Sequence, residues 1–328
     1  MATNKEFKRR KNGSGVLRRR LLIAGLAAFL LFDVALVSFA LNPPVVELVE
    51  TKPVETPPAL VDPAVVEPVE TNPPVVEPVE TKPVETKPPT RILTALNSTT
   101  AWRATTGACP ATTANPEQTT DSGATWTGYD ASAGTDASSI LSIYVKSEAE
   151  ASLVTLTAAN CTPQRVSTFV AGDQWQEYPD RVGANWFIDP ADRARVHSPA
   201  GAFAAPCPTV IALANRTDST AAALCSDGRL FRTGDGAATW GPGVSLPGAA
   251  NLAGSDDGYI LAATNQAGCA GVQVFSTPEA PDAALSPNGC REAAVAPGDL
   301  AVASAGGIVW LWAGDAVSRS SDGGATWR

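Results

Sequence analysis

Side chains able to hold an anion or move a proton crowd the stretch from Pro179 to Pro208. They are Asp180, Arg181, Trp186, Phe187, Asp189, Asp192, Arg193, Arg195 and His197, the chain's one histidine. Guanidinium groups grip carboxylates in bidentate fashion, and paired carboxylates can run glycoside chemistry. A reaction also needs acid and nucleophile aimed at one centre from several directions. Arg181, Arg193 and Arg195 instead share one loop, an arrangement that suits binding without turnover. A second reading stands beside this ligand loop of Arg181, Trp186, Arg193, Arg195 and His197. The segment is then a lid that caps the core with Trp186 and Phe187 and is pinned by Cys207.

Other chemistry is sparse. The tyrosines are Tyr129, Tyr144, Tyr178 and Tyr259, and none has a neighbour pattern that marks a nucleophile. There is no C-x-x-C pair, and a single histidine cannot complete a zinc set. Phosphate-binding glycine loops and the nucleophile elbow are missing too. No catalytic residue, metal or cofactor is therefore assigned.

The elements that position these residues are announced by a repeat. Thr119–Trp126, Thr233–Trp240 and Ser320–Trp327 all follow the pattern S/T-x-D-x-G-x-T-W, with Ala237 replacing the glycine in the second copy. An acid and a glycine two apart are tight-turn chemistry: the carboxylate accepts backbone N–H bonds, and glycine tolerates positive φ. The Thr-Trp pair then opens a strand. Asp121, Gly123, Trp126, Asp235, Trp240, Asp322, Gly324 and Trp327 are read as structural, with the three tryptophans in equivalent places.

The motif resembles the Asp-box, or BNR, repeat of sialidase-like and photosystem-assembly-factor-like β-propellers. The resemblance covers residues 91–328 and implies a structural role for the box. It also implies that ligands bind on the opposite face of the disc. A sialidase would add an arginine cluster, a tyrosine nucleophile and an Arg-Ile-Pro-type motif, which Thr90-Arg91-Ile92-Leu93 matches only faintly. Composition, short of lysine and rich in alanine and arginine, resembles that of exported actinobacterial proteins.

Two degenerate copies line up through Phe169–Asp173 and Phe275–Glu279. Acids at 121, 173, 235, 279 and 322 are then spaced by 52, 62, 44 and 43 residues. That spacing predicts an all-β, five-bladed propeller of four-stranded blades, with the box at each third turn and a short last outer strand. The long second interval predicts an insertion, Pro179–Pro208. Short β-type runs such as Ile140–Lys146, Ser152–Thr157 and Ile308–Trp312 agree with that architecture.

Six cysteines, Cys109, Cys161, Cys207, Cys225, Cys269 and Cys290, map to the face opposite the boxes. An even count in an exported chain suggests disulfides, and six cysteines allow 15 pairings. The sequential set, Cys109–Cys161, Cys207–Cys225 and Cys269–Cys290, is the expected one.

Upstream, residues 1–20 are basic and residues 21–41 are apolar except for Asp33 and Ser38. This is a membrane-insertion signal with a cytoplasmic N-terminus. It reads as an uncleaved signal anchor, or as a signal peptide cut after Ser38-Phe39-Ala40. Residues 42–90 repeat Pro, Val, Glu and Thr, which predicts an extended stalk reaching on the order of 150 Å at about 3.1 Å per residue.

From residue 91 onward, twelve Arg and one Lys face 22 acids, which argues against a nucleic-acid partner. The function expected is a membrane-anchored, extracytoplasmic propeller that binds a protein or a cell-envelope glycan without turnover. A sialidase-like glycosidase and an extracytoplasmic assembly factor are the alternatives.

Overall fold

In three of the four four-stranded sheets the second strand is the most buried, because it is sandwiched on both faces. Ala221–Cys225 is buried at every position, and Ala151–Thr157 and Gly258–Thr264 at all but the last. Continuous short apolar runs of this kind are what fully buried strands need. Outer strands, with one face in water, shrink to two exposed residues at Thr127–Gly128 and Gln176–Glu177.

A computed structural model describes residues 86–328. The basic stretch 1–20, the apolar run 21–41 and the linker as far as residue 85 lie outside the described residues. Among the described residues, no helix is long and apolar enough to cross a membrane.

Among the described residues, twenty-two strands form six antiparallel sheets. Sheet 1 holds β1 (Arg91–Ala95), β2 (Ala101–Thr105), β3 (Glu117–Thr119) and β4 (Thr127–Gly128). Sheet 2 holds β5 (Ala137–Val145), β6 (Ala151–Thr157), β7 (Pro163–Thr168) and β8 (Gln176–Glu177). A 3-10 helix, Pro179–Ala184, precedes sheet 3, with β9 (Phe187–Ile188), β10 (Arg195–Ser198) and β11 (Gly201–Ala204). Sheet 4 holds β12 (Val210–Asn215), β13 (Ala221–Cys225), β14 (Arg229–Thr233) and β15 (Val244–Ser245). Sheet 5 holds β16 (Ala249–Ser255), β17 (Gly258–Thr264), β18 (Gly271–Pro278) and β19 (Ser286–Glu292). Sheet 6 holds β20 (Leu300–Ala305), β21 (Ile308–Ala313) and β22 (Ala316–Ser320).

The first strand of each sheet meets the first strands of its neighbours, and β20 returns to β1. The ring is a six-bladed propeller, which corrects the five blades expected from spacing. The extra blade is sheet 3. The segment Pro179–Pro208, expected as an insertion or lid, contains this small three-stranded sheet. Its β9 pairs antiparallel with β10. The β10–β11 turn reaches the box of sheet 4, where the Ser198 hydroxyl donates to the Gly236 carbonyl at 2.6 Å. Strand β9 thus runs opposite to the other five inner strands, and it carries no box to be counted.

Apolar clusters fill the gaps between neighbouring sheets. Trp102, Ile140, Leu153 and Trp175 pack between sheets 1 and 2, and Leu224, Leu230, Tyr259 and Leu261 between sheets 4 and 5. Sheets 2 and 3 are joined differently: the Tyr144 hydroxyl donates to the Trp186 carbonyl, and the 3-10 helix packs on β7. In the last sheet, Arg328 and Arg319 exchange backbone N–H bonds at 2.9 and 3.0 Å. A short outer pairing therefore follows the final box, as expected.

Strand alternation gives the ring two unlike ends. Box turns follow third strands and share one end with the turns after the first strands of every sheet but sheet 3: Ser122 N donates to Thr99 O at 2.9 Å. The cysteines occupy the other end. They form Cys109–Cys161, Cys207–Cys225 and Cys269–Cys290, and no cysteine is free.

Candidate functional site

The three full boxes are closed hydrogen-bond circuits. In sheet 1 the Thr119 hydroxyl donates to Asp121 Oδ1 at 2.8 Å and accepts from Gly123 N at 2.9 Å. The carboxylate of Asp121 then accepts from Thr125 N at 2.9 Å and from the Thr125 hydroxyl at 2.6 Å. The same bonds recur at Asp235 with Thr233 and Thr239, and at Asp322 with Ser320 and Thr326. Hydroxyl and amide donors of this set favour the charged carboxylate. The Thr125 hydroxyl, then its amide, hold Asp121 down at about 2. Each carboxylate is thus engaged by three donors of its own turn.

Backbone geometry explains the glycine. The fourth residue after each opening hydroxyl has positive φ: Gly123 at 84°, Gly324 at 103° and Ala237 at 75°. Alanine is tolerated at 237, where its Cβ joins the apolar cluster between sheets 3 and 4.

Each box tryptophan wedges against the preceding sheet. Trp126 sits with the sheet 6 cluster of Trp310 and Val317, Trp240 with Val196 and Phe203 of sheet 3, and Trp327 with Val272 and Val274 of sheet 5. At the ring closure this wedge is charged. The Arg103 guanidinium lies 4.2 Å from the Trp126 ring and 4.7 Å from Trp312, and it bonds Glu117 at 2.5 Å.

The degenerate copy in sheet 2 has a register that differs from the expected one. Its opening hydroxyl is Thr168, which accepts from Gly172 N at 2.9 Å and Val170 N at 3.3 Å. These match the bonds from Gly123 and Asp121 to Thr119. Val170, not Asp173, therefore stands in the aspartate position, and Trp175 is the wedge tryptophan, packed with Trp102. The aligned Phe169 takes the place of Thr120. Phe169 and Val170 are 54% and 47% exposed, the only large hydrophobics exposed to that degree among the described residues. Tyr178 meets Phe169 edge-on at 6.4 Å, and Arg181 lies over Tyr178 at 5.1 Å. This apolar turn with its aromatic and guanidinium flank is the site sequence reasoning missed. Anchoring the register on Thr168 and Trp175 rather than on an acid would have found it.

The sheet 5 copy keeps an acid in place, Glu279, two residues after Thr277. Its carboxylate instead pairs with Arg216 of sheet 4. Thr277 is engaged by the buried Arg232 at 2.5 Å, which also donates to the Pro281 and Ala283 carbonyls. The turn is reorganised around that arginine.

The expected ligand loop does not converge. Arg181 is exposed in the 3-10 helix. Trp186 is buried and donates its indole N–H to Thr217 O at 3.1 Å. Arg193 donates to Val210 O at 2.8 Å and Ile211 O at 3.4 Å. Arg195 is exposed on β10. The ring of His197 stacks on Phe187, with centroids 4.3 Å apart, and bonds Asp189 at 2.9 Å. Burial pushes Tyr144 and Tyr259 up to about 12, a poor starting point for a tyrosine nucleophile.

The inner strands surround a channel of about 680 Å³, lined among others by Ile92, Ser142, Leu213, Ala253 and Ala303. Inner strands leave one edge without a strand partner, and buried backbone groups need partners. Several side chains supply them. Thr94 Oγ1 donates to Ile143 O at 3.1 Å, and Asn251 donates to Leu300 O at 3.0 Å. Arg193 does the same for β12, beside the short β9. Its guanidinium is used on two carbonyls of that inner strand.

No protein-family model matches the chain, and no curated protein matches its sequence. Among solved structures it is similar to YCF48 bound to a D1 peptide, with 16% identity, 76% of this chain and 70% of that chain covered, and a TM-score of 0.28. It is also similar to YCF48 from Cyanidioschyzon merolae, with 12% identity, 75% and 86% covered, and a TM-score of 0.29.

Proposed function

We propose that this chain is a non-enzymatic propeller that binds a protein partner through the apolar turn of sheet 2. It is carried outside the cytoplasm by the anchor and stalk read in residues 1–90. The observation that carries the reading is the pair Phe169 and Val170. In the other turns of this type the same two positions are Thr120 and Asp121, Gly234 and Asp235, Ser321 and Asp322. The aspartate there closes the turn on itself, whereas the apolar pair gains no such bond and costs free energy in water. Aromatic and arginine side chains beside such a patch are typical anchors of protein interfaces.

The arginines support binding over turnover. Arg193 is spent on two carbonyls and Arg181 on Tyr178, so neither is poised with a carboxylate and a nucleophile around one centre. The test is capture with the full chain and with Phe169→Ser, alongside incubation with a fluorogenic sialoside and aryl glycosides. The reading expects a captured protein that the variant loses, and no turnover. Turnover abolished by Arg193→Ala in a folded protein would overturn it.

A further inference from the structure

The chain's own approach to the ring passes across one end of the channel. Thr90 fixes one end of a short crossing. Its N–H donates to Gly298 O at 2.9 Å, and its hydroxyl donates to Gly298 O at 3.1 Å and Asp299 Oδ1 at 3.2 Å. Thr86 fixes the other end, where its N–H donates to Ser226 O at 2.7 Å. Gly298 lies just before β20 of sheet 6. Ser226 follows β13 and bonds Thr209, at the foot of β12. Sheets 1 and 4 stand opposite each other in a ring of six. Residues 86–90 therefore run as a chord across the cysteine end, and Pro89 forms part of the channel lining.

The segment is suited to that task. Pro88 and Pro89 have fixed φ and no N–H, so they hold an extended shape at low entropic cost and need no hydrogen-bond partner. The Pro88 carbonyl lies over Gly298, where a Cβ would come within 3.3 Å of it. Gly298 has φ of 97°, so a side chain there would disturb both its own backbone and the crossing.

We propose that Thr86–Thr90 is a strap that closes the cysteine end of the channel and leaves the box end as its open mouth. The described chain enters the ring at the closed end. The open mouth and the Phe169–Val170 turn both lie on the opposite end. This inference rests on the channel and the strap, and it stands whether or not Phe169 and Val170 bind a partner.

The experiment uses the full chain. Every native cysteine is paired, so Ser304→Cys, at a half-buried position of the channel lining, places a single free thiol there. Its labelling by a bulky maleimide is compared with and without Thr86→Pro, which deletes the N–H that holds the strap. Thr86→Ala, which keeps that N–H, is the control. Opening a second mouth should raise the labelling rate about threefold or more in the proline variant and leave the alanine variant unchanged. Hydrogen exchange of the Thr90 amide, measured in Thr86→Pro without the new thiol, should accelerate in step. Equal labelling in all backgrounds, no labelling in any, or unchanged Thr90 exchange would overturn the proposal.

Discussion

The indole N–H of Trp310 donates to the backbone carbonyl of Asn97 at 3.2 Å, joining the last sheet to the first. No strand is shared between sheets 1 and 6, so side chains join the Thr90–Gly298 backbone bond in making the closure. Arg319 donates to Ser98 O at 2.7 Å on the same end. Arg91 stacks on Trp312 at 4.6 Å and approaches Asp299 at 3.6 Å on the other. Trp310→Phe keeps most of the packing and removes the donor. Losing this part-buried bond should cost about 0.5–1.5 kcal/mol, read by urea unfolding. An unchanged midpoint would mean the closure does not depend on this bond.

The box aspartates predict an acid limb of stability. The Thr125 hydroxyl and amide hold Asp121 at about 2 against an ordinary 3.8. Asp235, through Thr239, and Asp322, through Ser320 and then Thr326, are lowered likewise. A carboxylate depressed in the folded state stabilises above its unfolded value, and that contribution is lost as pH falls through the folded value. The melting temperature should be flat from neutral pH to about pH 5 and then fall between about pH 4 and pH 2. Asp322→Ala should lower it at neutral pH by on the order of 2–8 °C and flatten the acid limb. A wild-type melting temperature independent of pH down to 2 would contradict the assignment.

Restoring the lost box should stabilise sheet 2. Val170→Asp with Gln174→Thr rebuilds the circuit around Thr168, whose bonds to Gly172 and Val170 are already made. A gain of about 0.5–2 kcal/mol is expected, the usual yield of completing a local capping site. Calorimetry decides it, and a loss of stability would show that the two turns are not equivalent.

The disulfides should differ in worth. Cys109–Cys161 spans 52 residues and ties sheet 1 to sheet 2, whereas Cys207–Cys225 and Cys269–Cys290 span 18 and 21. Chain-entropy arguments give about 4 kcal/mol for the long loop and about 3 for the short ones. Serine replacement of each pair, followed by denaturant unfolding, should rank them in that order. The reverse order would point to native-state strain instead.

Much of the ring was legible in sequence because its turns are written in residues with one reading. Asp, Gly and Trp at fixed offsets gave three turns, their shared end and the opposite placement of the cysteines. Sheet 3 was not legible. Its β9 has two residues and its β10–β11 turn lacks a box, so it read as surplus length between Asp173 and Asp235. The sheet 2 register was misplaced because Asp173 drew the alignment three residues from Thr168. Arg193 looked like a ligand arginine. Only the fold reveals that its guanidinium is used on two carbonyls of the inner strand β12.

The central claim is that sheet 2 presents a partner-binding turn where the other boxes do not. Its most direct test is a photocrosslinking amino acid placed at Phe169 and, separately, at Thr120, the equivalent exposed position of sheet 1. Each full-length variant is irradiated in the presence of envelope protein. The account predicts a discrete protein adduct from position 169, none from position 120, and loss of the adduct when Val170→Asp is added. Equal adducts from both positions, or none from 169 in a folded protein, would contradict it.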